Sequence, residues 1–114
     1  MDKLLRKLKE IRYEDLELDI ILDLREEDDF DSNWVRVYQE IEELKKGKEC
    51  ETADDVREKA FKVVFDLSGD GEIAGYISDD FGMIVVSKML NYSDEWLDKL
   101  ISCYEQYMIP CGKL

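Results

Sequence analysis

The sequence has no histidine, a single proline (Pro110) and only six glycines. Without imidazole it lacks the usual general base, the histidine-dependent serine and cysteine triads, and the commonest zinc ligand. Its three cysteines are not in CxxC spacing, and residues 68–72 lack the lysine that ends a phosphate-binding loop. These absences predict a protein that is not an enzyme and uses no cofactor or metal. A hydrolase that works with carboxylates alone is an alternative.

Long apolar runs are also missing. The longest is four residues, at positions 83–86, whereas crossing a bilayer takes about twenty. The first twelve residues interleave leucines with lysines and show no signal-peptide core. An odd number of cysteines favours free thiols, although Cys103 and Cys111 could meet near a helix end. We therefore expect a cytoplasmic protein with reduced thiols and no membrane partner.

Acidic residues are abundant and unevenly placed. They number 29 against 16 basic residues, for a net charge of −13, and the stretch from Tyr13 to Glu43 alone carries −11. A field of this sign repels nucleic acid and anionic lipid and attracts basic partners. Solubility is the simpler explanation of an acidic surface. The densest acidic run consists of Glu26, Glu27, Asp28, Asp29 and Asp31.

Hydrophobic spacing predicts one all-α domain over residues 1–114, an irregular bundle of about five to six helices. The stretch from Leu16 to Leu24 is ambiguous, because its apolar residues alternate as in a strand and also fit a helical stripe. Its leucines and acids favour a helix, and a strand is the alternative. Phe61 and Phe65 give the helix that follows Thr52 a second apolar face, which predicts a central helix buried on two sides.

Two serines are predicted to mark the starts of helices. Ser78 is predicted to begin a new helix, with Asp79 and Asp80 in the first turn, where the helix dipole favours acids. Ser93 is predicted to cap the last helix, which stops before Pro110. Asp79 and Asp80 are therefore explained equally well by capping and by binding a partner.

The most specific motif is calcium-like. The run from Asp66 to Ile77 resembles an EF-hand loop, with Asp66, Ser68 and Asp70 at ligand positions one, three and five and Gly71 at the turn glycine. Position twelve should be a glutamate that gives two oxygens to the ion, and here it is Ile77. We predict two helices joined by a Gly-Asp-Gly turn, with a degenerate calcium-binding module as the alternative.

Aromatic residues are numerous, and most lie on or beside apolar stripes, so we expect them in the core. Trp34 belongs to this group. Tyr92, Trp96 and Tyr107 fall off the main stripe of the last helix and are predicted to be more exposed. An exposed aromatic in acidic surroundings suits the centre of a protein interface; Trp34 and Trp96 are the candidate anchors, and core packing is the favoured role for Trp34.

The last third of the chain shows a pattern of caps, aromatics and spacings: Glu72-Ile-Ala-Gly-Tyr76-Ile-Ser-Asp79-Asp80-Phe81-Gly-Met-Ile84, then Tyr92-Ser-Asp94-Glu-Trp96-Leu97, Leu100, Tyr104 and Ile109-Pro110. This pattern resembles small bacterial immunity proteins of polymorphic toxin systems, notably those of contact-dependent growth inhibition. The resemblance implies a cytoplasmic protein that binds its cognate toxin domain and blocks it by occlusion. Such toxins are often nucleases with basic clefts, which agrees with the acidic charge.

The predicted partner is thus a cognate, basic toxin protein, and not nucleic acid or a membrane. The alternatives are the EF-hand-like calcium module and an acidic adaptor or regulatory subunit. The predicted partner-binding residues are Glu26, Glu27, Asp28, Asp29, Asp31, Asp79, Asp80 and Trp96.

Overall fold

The computed structural model describes all 114 residues. It has six α-helices, a 3-10 turn at Tyr13–Asp15 and no strand, which confirms the predicted all-α class. The stretch from Leu16 to Leu24 is helical from Leu18, so the strand alternative is wrong. None of the helices combines the length and the apolar character needed to cross a membrane. In chain order the helices are α1 (Asp2–Glu10), α2 (Leu18–Glu26), α3 (Asp28–Lys45), α4 (Glu51–Ser68), α5 (Gly71–Met89) and α6 (Glu95–Glu105).

Helices α4 and α5 form a hairpin with a two-residue connection. Gly69 ends α4 in the left-handed region, at φ 68°, which glycine adopts without strain. Asp70 starts α5, because its carboxylate accepts hydrogen bonds from two backbone N–H groups of the first turn, at 3.0 and 3.1 Å. The predicted helix start at Ser78 is therefore wrong. Ser78 lies inside α5 and donates its hydroxyl to the Arg57 carbonyl oxygen at 2.9 Å.

The central helix is α5, in which 12 of 19 residues are buried. The prediction that α4 is central is wrong, because α4 buries a single stripe. On its other face, Phe61 and Phe65 are 38% and 46% exposed and stack on each other with ring centroids 5.9 Å apart. The core that α5 organises also receives side chains of α1, α3 and α6, among them Leu8, Val37, Leu97, Leu100 and Tyr104.

The three cysteines are free thiols, so Cys103 and Cys111 do not form the alternative disulfide. Burial raises the pKa of both thiols. Both groups are therefore less reactive than an exposed cysteine at neutral pH.

Candidate partner-binding surface

Helix α2 is held to the core by a charged side chain. Its only buried residue is Arg25, which is 5% exposed. The guanidinium contacts Asp80 with both terminal nitrogens: Nη2 lies 2.7 Å from Oδ1 and Nη1 lies 2.9 Å from Oδ2. Nη1 also donates to the carbonyl oxygen of Pro110 at 3.0 Å. Arg25 thus joins α2 to the middle of α5 and to the C-terminal segment.

The environment keeps Arg25 charged. Burial opposes its positive charge, but the charge and hydrogen bonds of Asp80 outweigh this effect and raise the pKa of Arg25 above its usual value. The guanidinium also lies 4.5 Å from the ring centroid of Phe30. Asp80 accepts two further hydrogen bonds, from Trp34 Nε1 and from the Tyr104 hydroxyl. A fully buried carboxylate is therefore matched by a buried cation and two neutral donors.

Because Arg25 points inward, α2 and the start of α3 present no cation of their own to the solvent. Arg25 is the only basic residue between Tyr13 and Asp31. We call the residues at the α2–α3 junction the acidic corner; they are Glu26, Glu27, Asp28, Asp29 and Asp31. All five are exposed, and none has an ion-pair partner among the protein's salt bridges. Asp19 and Asp23 of α2 extend this unpaired acidic surface.

A groove of about 430 Å³ opens between α3 and the α4–α5 hairpin. Its α3 wall carries Trp34 and Tyr38, whose rings stack with centroids 5.4 Å apart and planes at 15°. The opposite wall carries Asp54, Arg57 and Asp79. Arg57 Nη2 lies 2.7 Å from Asp79 Oδ1, and both side chains are about half exposed. The groove thus combines aromatic surface with charged groups.

Gly82 gives Arg57 its position in the groove. A Cβ at residue 82 would lie 2.5 Å from Arg57 Cδ, closer than side-chain atoms approach. The absence of a side chain lets Arg57 lie across α5 and reach Asp79. The groove therefore already accommodates one guanidinium group.

A comparison with known protein families identifies the family of the chain. The model of the family described as "Immunity protein PIM1" matches residues 2–111. The chain belongs to the immunity protein PIM1 family. No curated protein matches the chain.

Membership of the PIM1 family confirms the resemblance to small bacterial immunity proteins. The function of such a protein is to neutralise a toxin, so its partner is a cognate toxin. Immunity proteins are generally not enzymes. In a PIM1 family member, the residues that bind the toxin must therefore be exposed to the solvent.

Two of the residues predicted to contact the partner are not on the surface of this PIM1 family member. Asp80 is 0% exposed, and its carboxylate is engaged by Arg25, Trp34 and Tyr104. Trp96 is 8% exposed and packs edge-on against Phe30, with ring centroids 5.2 Å apart. We correct the prediction for both, because their contacts are internal.

The other predicted residues fall into two groups. The acidic corner contains Glu26 to Asp29 together with Asp31, and Asp79 lies apart from it in the groove. Sequence reasoning missed the groove residues Tyr38 and Asp54. The spacing of Trp34 and Tyr38, four positions apart on α3, was the available signal, because such residues are neighbours on one helix face.

Tyr107 and Tyr92 are the other two aromatics that were predicted to be exposed. Tyr107 is 47% exposed, as predicted, and Tyr92 is partly buried. The Tyr92 hydroxyl donates to Glu40, and partial burial together with that hydrogen bond raises the pKa of Tyr92 to about 12. Trp34 is also partly buried rather than enclosed in the core.

The calcium-like run from Asp66 to Ile77 does not fold as an ion-binding loop. Asp66 lies exposed within α4. The Ser68 hydroxyl donates to the Val64 carbonyl oxygen at 2.7 Å, and Asp70 caps α5. The run is a helix, a short turn and a second helix, as the favoured interpretation of the sequence predicted.

Proposed function

We propose that this immunity protein neutralises its toxin by placing the acidic corner against a basic site of the toxin, which it occludes. One observation carries the proposal: five exposed carboxylates at the α2–α3 junction have no ion-pair partner, and the only basic residue in that part of the sequence, Arg25, is turned into the core. A toxin that binds a polyanionic substrate, such as a nuclease, presents the complementary charge.

Unpaired carboxylates produce a stronger outward field than paired ones. Elsewhere on the surface, Arg12 pairs with Glu14 and Asp15, and Arg36 pairs with Glu40 and Asp94, so part of the negative charge there is offset. No such neutralisation occurs at the acidic corner. A field concentrated in one place steers a basic partner into one orientation and speeds its encounter.

The adjoining surface of α2 adds apolar groups to the carboxylates. Ile20 of α2 is 51% exposed, and Leu16, just before the helix, is 36% exposed. Asp19 precedes Ile20 directly, and Asp23 follows it by three positions. Charged groups speed association, whereas buried apolar groups at the centre of an interface slow dissociation. This combination supports binding to a protein surface.

Occlusion requires no turnover by the immunity protein. Carboxylates that occupy the phosphate positions of a nucleic-acid site exclude the substrate for as long as the complex lasts. A polyanion such as heparin should therefore compete with the immunity protein for the toxin domain. Competition by heparin is expected to disappear at salt concentrations that screen surface charges.

The test compares two variants with the same change in charge. The corner variant carries Glu26→Gln, Glu27→Gln and Asp29→Asn. The control variant carries Glu10→Gln, Glu105→Gln and Asp66→Asn, and these three residues are exposed and without ion pairs. Binding to the toxin domain and protection of cells that produce the toxin are measured for both.

The corner variant is expected to bind the toxin at least about ten-fold more weakly than the control and to protect less well. Equal affinities for the two variants would contradict the proposal. Thermal unfolding of each variant serves as the folding control. Each substitution of an exposed acid outside an ion pair is expected to change the free energy of unfolding by less than about 0.5 kcal/mol.

A further inference from the structure

The groove between α3 and the α4–α5 hairpin contains carboxylates that the fold does not use. Its two basic side chains are already engaged, Lys45 with Glu42 at 3.2 Å and Arg57 with Asp79 at 2.7 Å. Two further lining carboxylates, Glu49 and Asp54, take part in no salt bridge. The groove therefore has two negative charges beyond those that its own cations balance.

One face of α3 connects the acidic corner to this groove. Asp31, Val35, Tyr38 and Glu42 follow one another at intervals of four, three and four residues, so they lie along a single helix face. At 1.5 Å per residue, Tyr38 lies about 10 Å along the helix from Asp31. A toxin that covers the acidic corner can thus reach the groove without a second, separate interface.

The aromatic wall of the groove is fixed by the buried ion pair. Trp34 Nε1 donates to Asp80 Oδ1 at 2.9 Å, the same oxygen that Arg25 contacts. Tyr38 stacks on Trp34 and is itself 45% exposed. A ring held in place before binding loses little conformational freedom when a partner arrives. The exposed surface of Tyr38 is therefore a prearranged contact.

We propose that the groove receives an arginine side chain of the toxin, which contacts Tyr38 and pairs with the free carboxylates of Asp54 and Glu49. The inference rests on the proposed function, because the arginine belongs to the toxin that the acidic corner attracts. It adds the location of the contact that slows dissociation. Arg25 and Trp34 act here as positioning residues.

Three properties of the groove favour arginine over other side chains. A guanidinium group stacks on an aromatic ring and pairs with carboxylates at the same time. The charge of the groove repels acidic residues and does not match purely apolar ones. Arg57 shows that the space above Gly82 already holds a guanidinium beside a carboxylate.

The experiment compares matched variants in complex formation with the toxin domain. The groove variant carries Tyr38→Ala and Asp54→Asn. The control variant carries Phe65→Ala and Asp66→Asn, which also removes one exposed aromatic ring and one exposed acid but does so on α4, outside the groove. Association and dissociation rates are measured for both and for the corner variant, with thermal unfolding as the folding control.

The groove variant is expected to dissociate at least about ten-fold faster than the control while its association rate changes by less than about three-fold. The corner variant should show the opposite pattern, with slower association. Replacing the toxin's arginines with alanine one at a time should identify one whose effect is lost in the Tyr38→Ala background, since contacting residues are not additive.

Three results would overturn the groove assignment. If the groove and control variants dissociate at the same rate while the corner variant binds more weakly, the groove is not the contact and the proposed function stands. If the corner variant also binds like its control, both proposals fail. Additive effects of Tyr38→Ala with every toxin arginine would likewise contradict the groove assignment.

Discussion

Arg25 Nη2 lies 2.7 Å from Asp80 Oδ1, and the two residues, 55 positions apart in the chain, are both buried. This contact fixes α2 on α5 and turns inward the only basic residue between Tyr13 and Asp31, the most acidic part of the sequence. It also holds Trp34, and through it the wall of the groove. A single internal ion pair thus supports the fold and shapes the proposed binding surface.

The first prediction concerns the cost of breaking this pair. Arg25→Met leaves Asp80 buried without a cation and is expected to destabilise the protein by about 3–5 kcal/mol. The neighbouring pair of Arg57 and Asp79 is about half exposed, so Asp79→Asn is expected to cost less than about 1 kcal/mol. Urea denaturation of the two variants measures the difference.

Because Arg25 and Asp80 are paired, the stability losses of their single variants are not expected to add. The double variant Arg25→Met, Asp80→Leu removes both charges, so it should be more stable than the sum of its two single variants predicts. If Arg25→Met lowers the free energy of unfolding no more than Asp79→Asn does, the buried pair does not hold α2 in place.

A second prediction separates two acids of the calcium-like run. Asp70→Ala removes the side chain that caps α5 and is expected to cost about 1 kcal/mol. Asp66→Ala changes an exposed residue of α4 with no ion pair and is expected to change stability by less than about 0.5 kcal/mol. Chemical denaturation with and without calcium tests both, and stabilisation by micromolar calcium that depends on Asp66 would contradict the hairpin assignment.

A third prediction is that the stability of the protein at low pH depends on the ion pair between Arg36 and Asp94. The Arg36 guanidinium beside Asp94, at 2.8 Å, holds the pKa of that carboxyl below its usual value, helped by the backbone N–H of Leu97. A folded-state pKa below the unfolded one stabilises the protein at neutral pH. This stabilisation is lost as the pH falls below about 4 and through the lower folded-state pKa.

The measurement is the free energy of unfolding between about pH 7 and pH 2. Asp94→Asn should be less stable than the unchanged protein at neutral pH, by on the order of 1 kcal/mol. The difference should shrink in acid. Asp98→Asn, in the first turn of the helix that Asp94 caps but without an ion pair, is the control. A difference for Asp94→Asn that stays constant with pH would contradict this account.

Much of the fold could be predicted from local patterns. The helical class and the turn between α4 and α5 follow from apolar spacing and from the glycines, which act over a few positions. The predicted cap of α6, Ser93, is wrong by one position, because the carboxylate of Asp94 accepts the hydrogen bond from the Leu97 N–H. Ser78 misled the prediction because a serine in a helix interior resembles a cap. Its hydroxyl instead bonds to the carbonyl of Arg57, a long-range partner that the local sequence does not reveal.

The candidate site was only partly predictable for the same reason. The acidic corner is a continuous run and was found directly. Local sequence predicts Asp80 on the surface, because nothing near it in the chain reveals its partner, Arg25. The groove depends on how α3 packs against the hairpin, so Tyr38 and Asp54 come together only in three dimensions.

The most direct test of the central claim is the rate of association with the toxin domain as a function of salt. Surface charges are screened beyond about 10 Å at 0.1 M salt. If the unpaired carboxylates of the acidic corner steer the encounter, raising NaCl from about 25 to 400 mM should slow association by about ten-fold or more and leave dissociation nearly unchanged. The corner variant, Glu26→Gln, Glu27→Gln and Asp29→Asn, should show a much flatter dependence. An association rate that is indifferent to salt, or equally steep slopes for the corner variant and the unchanged protein, would contradict the account.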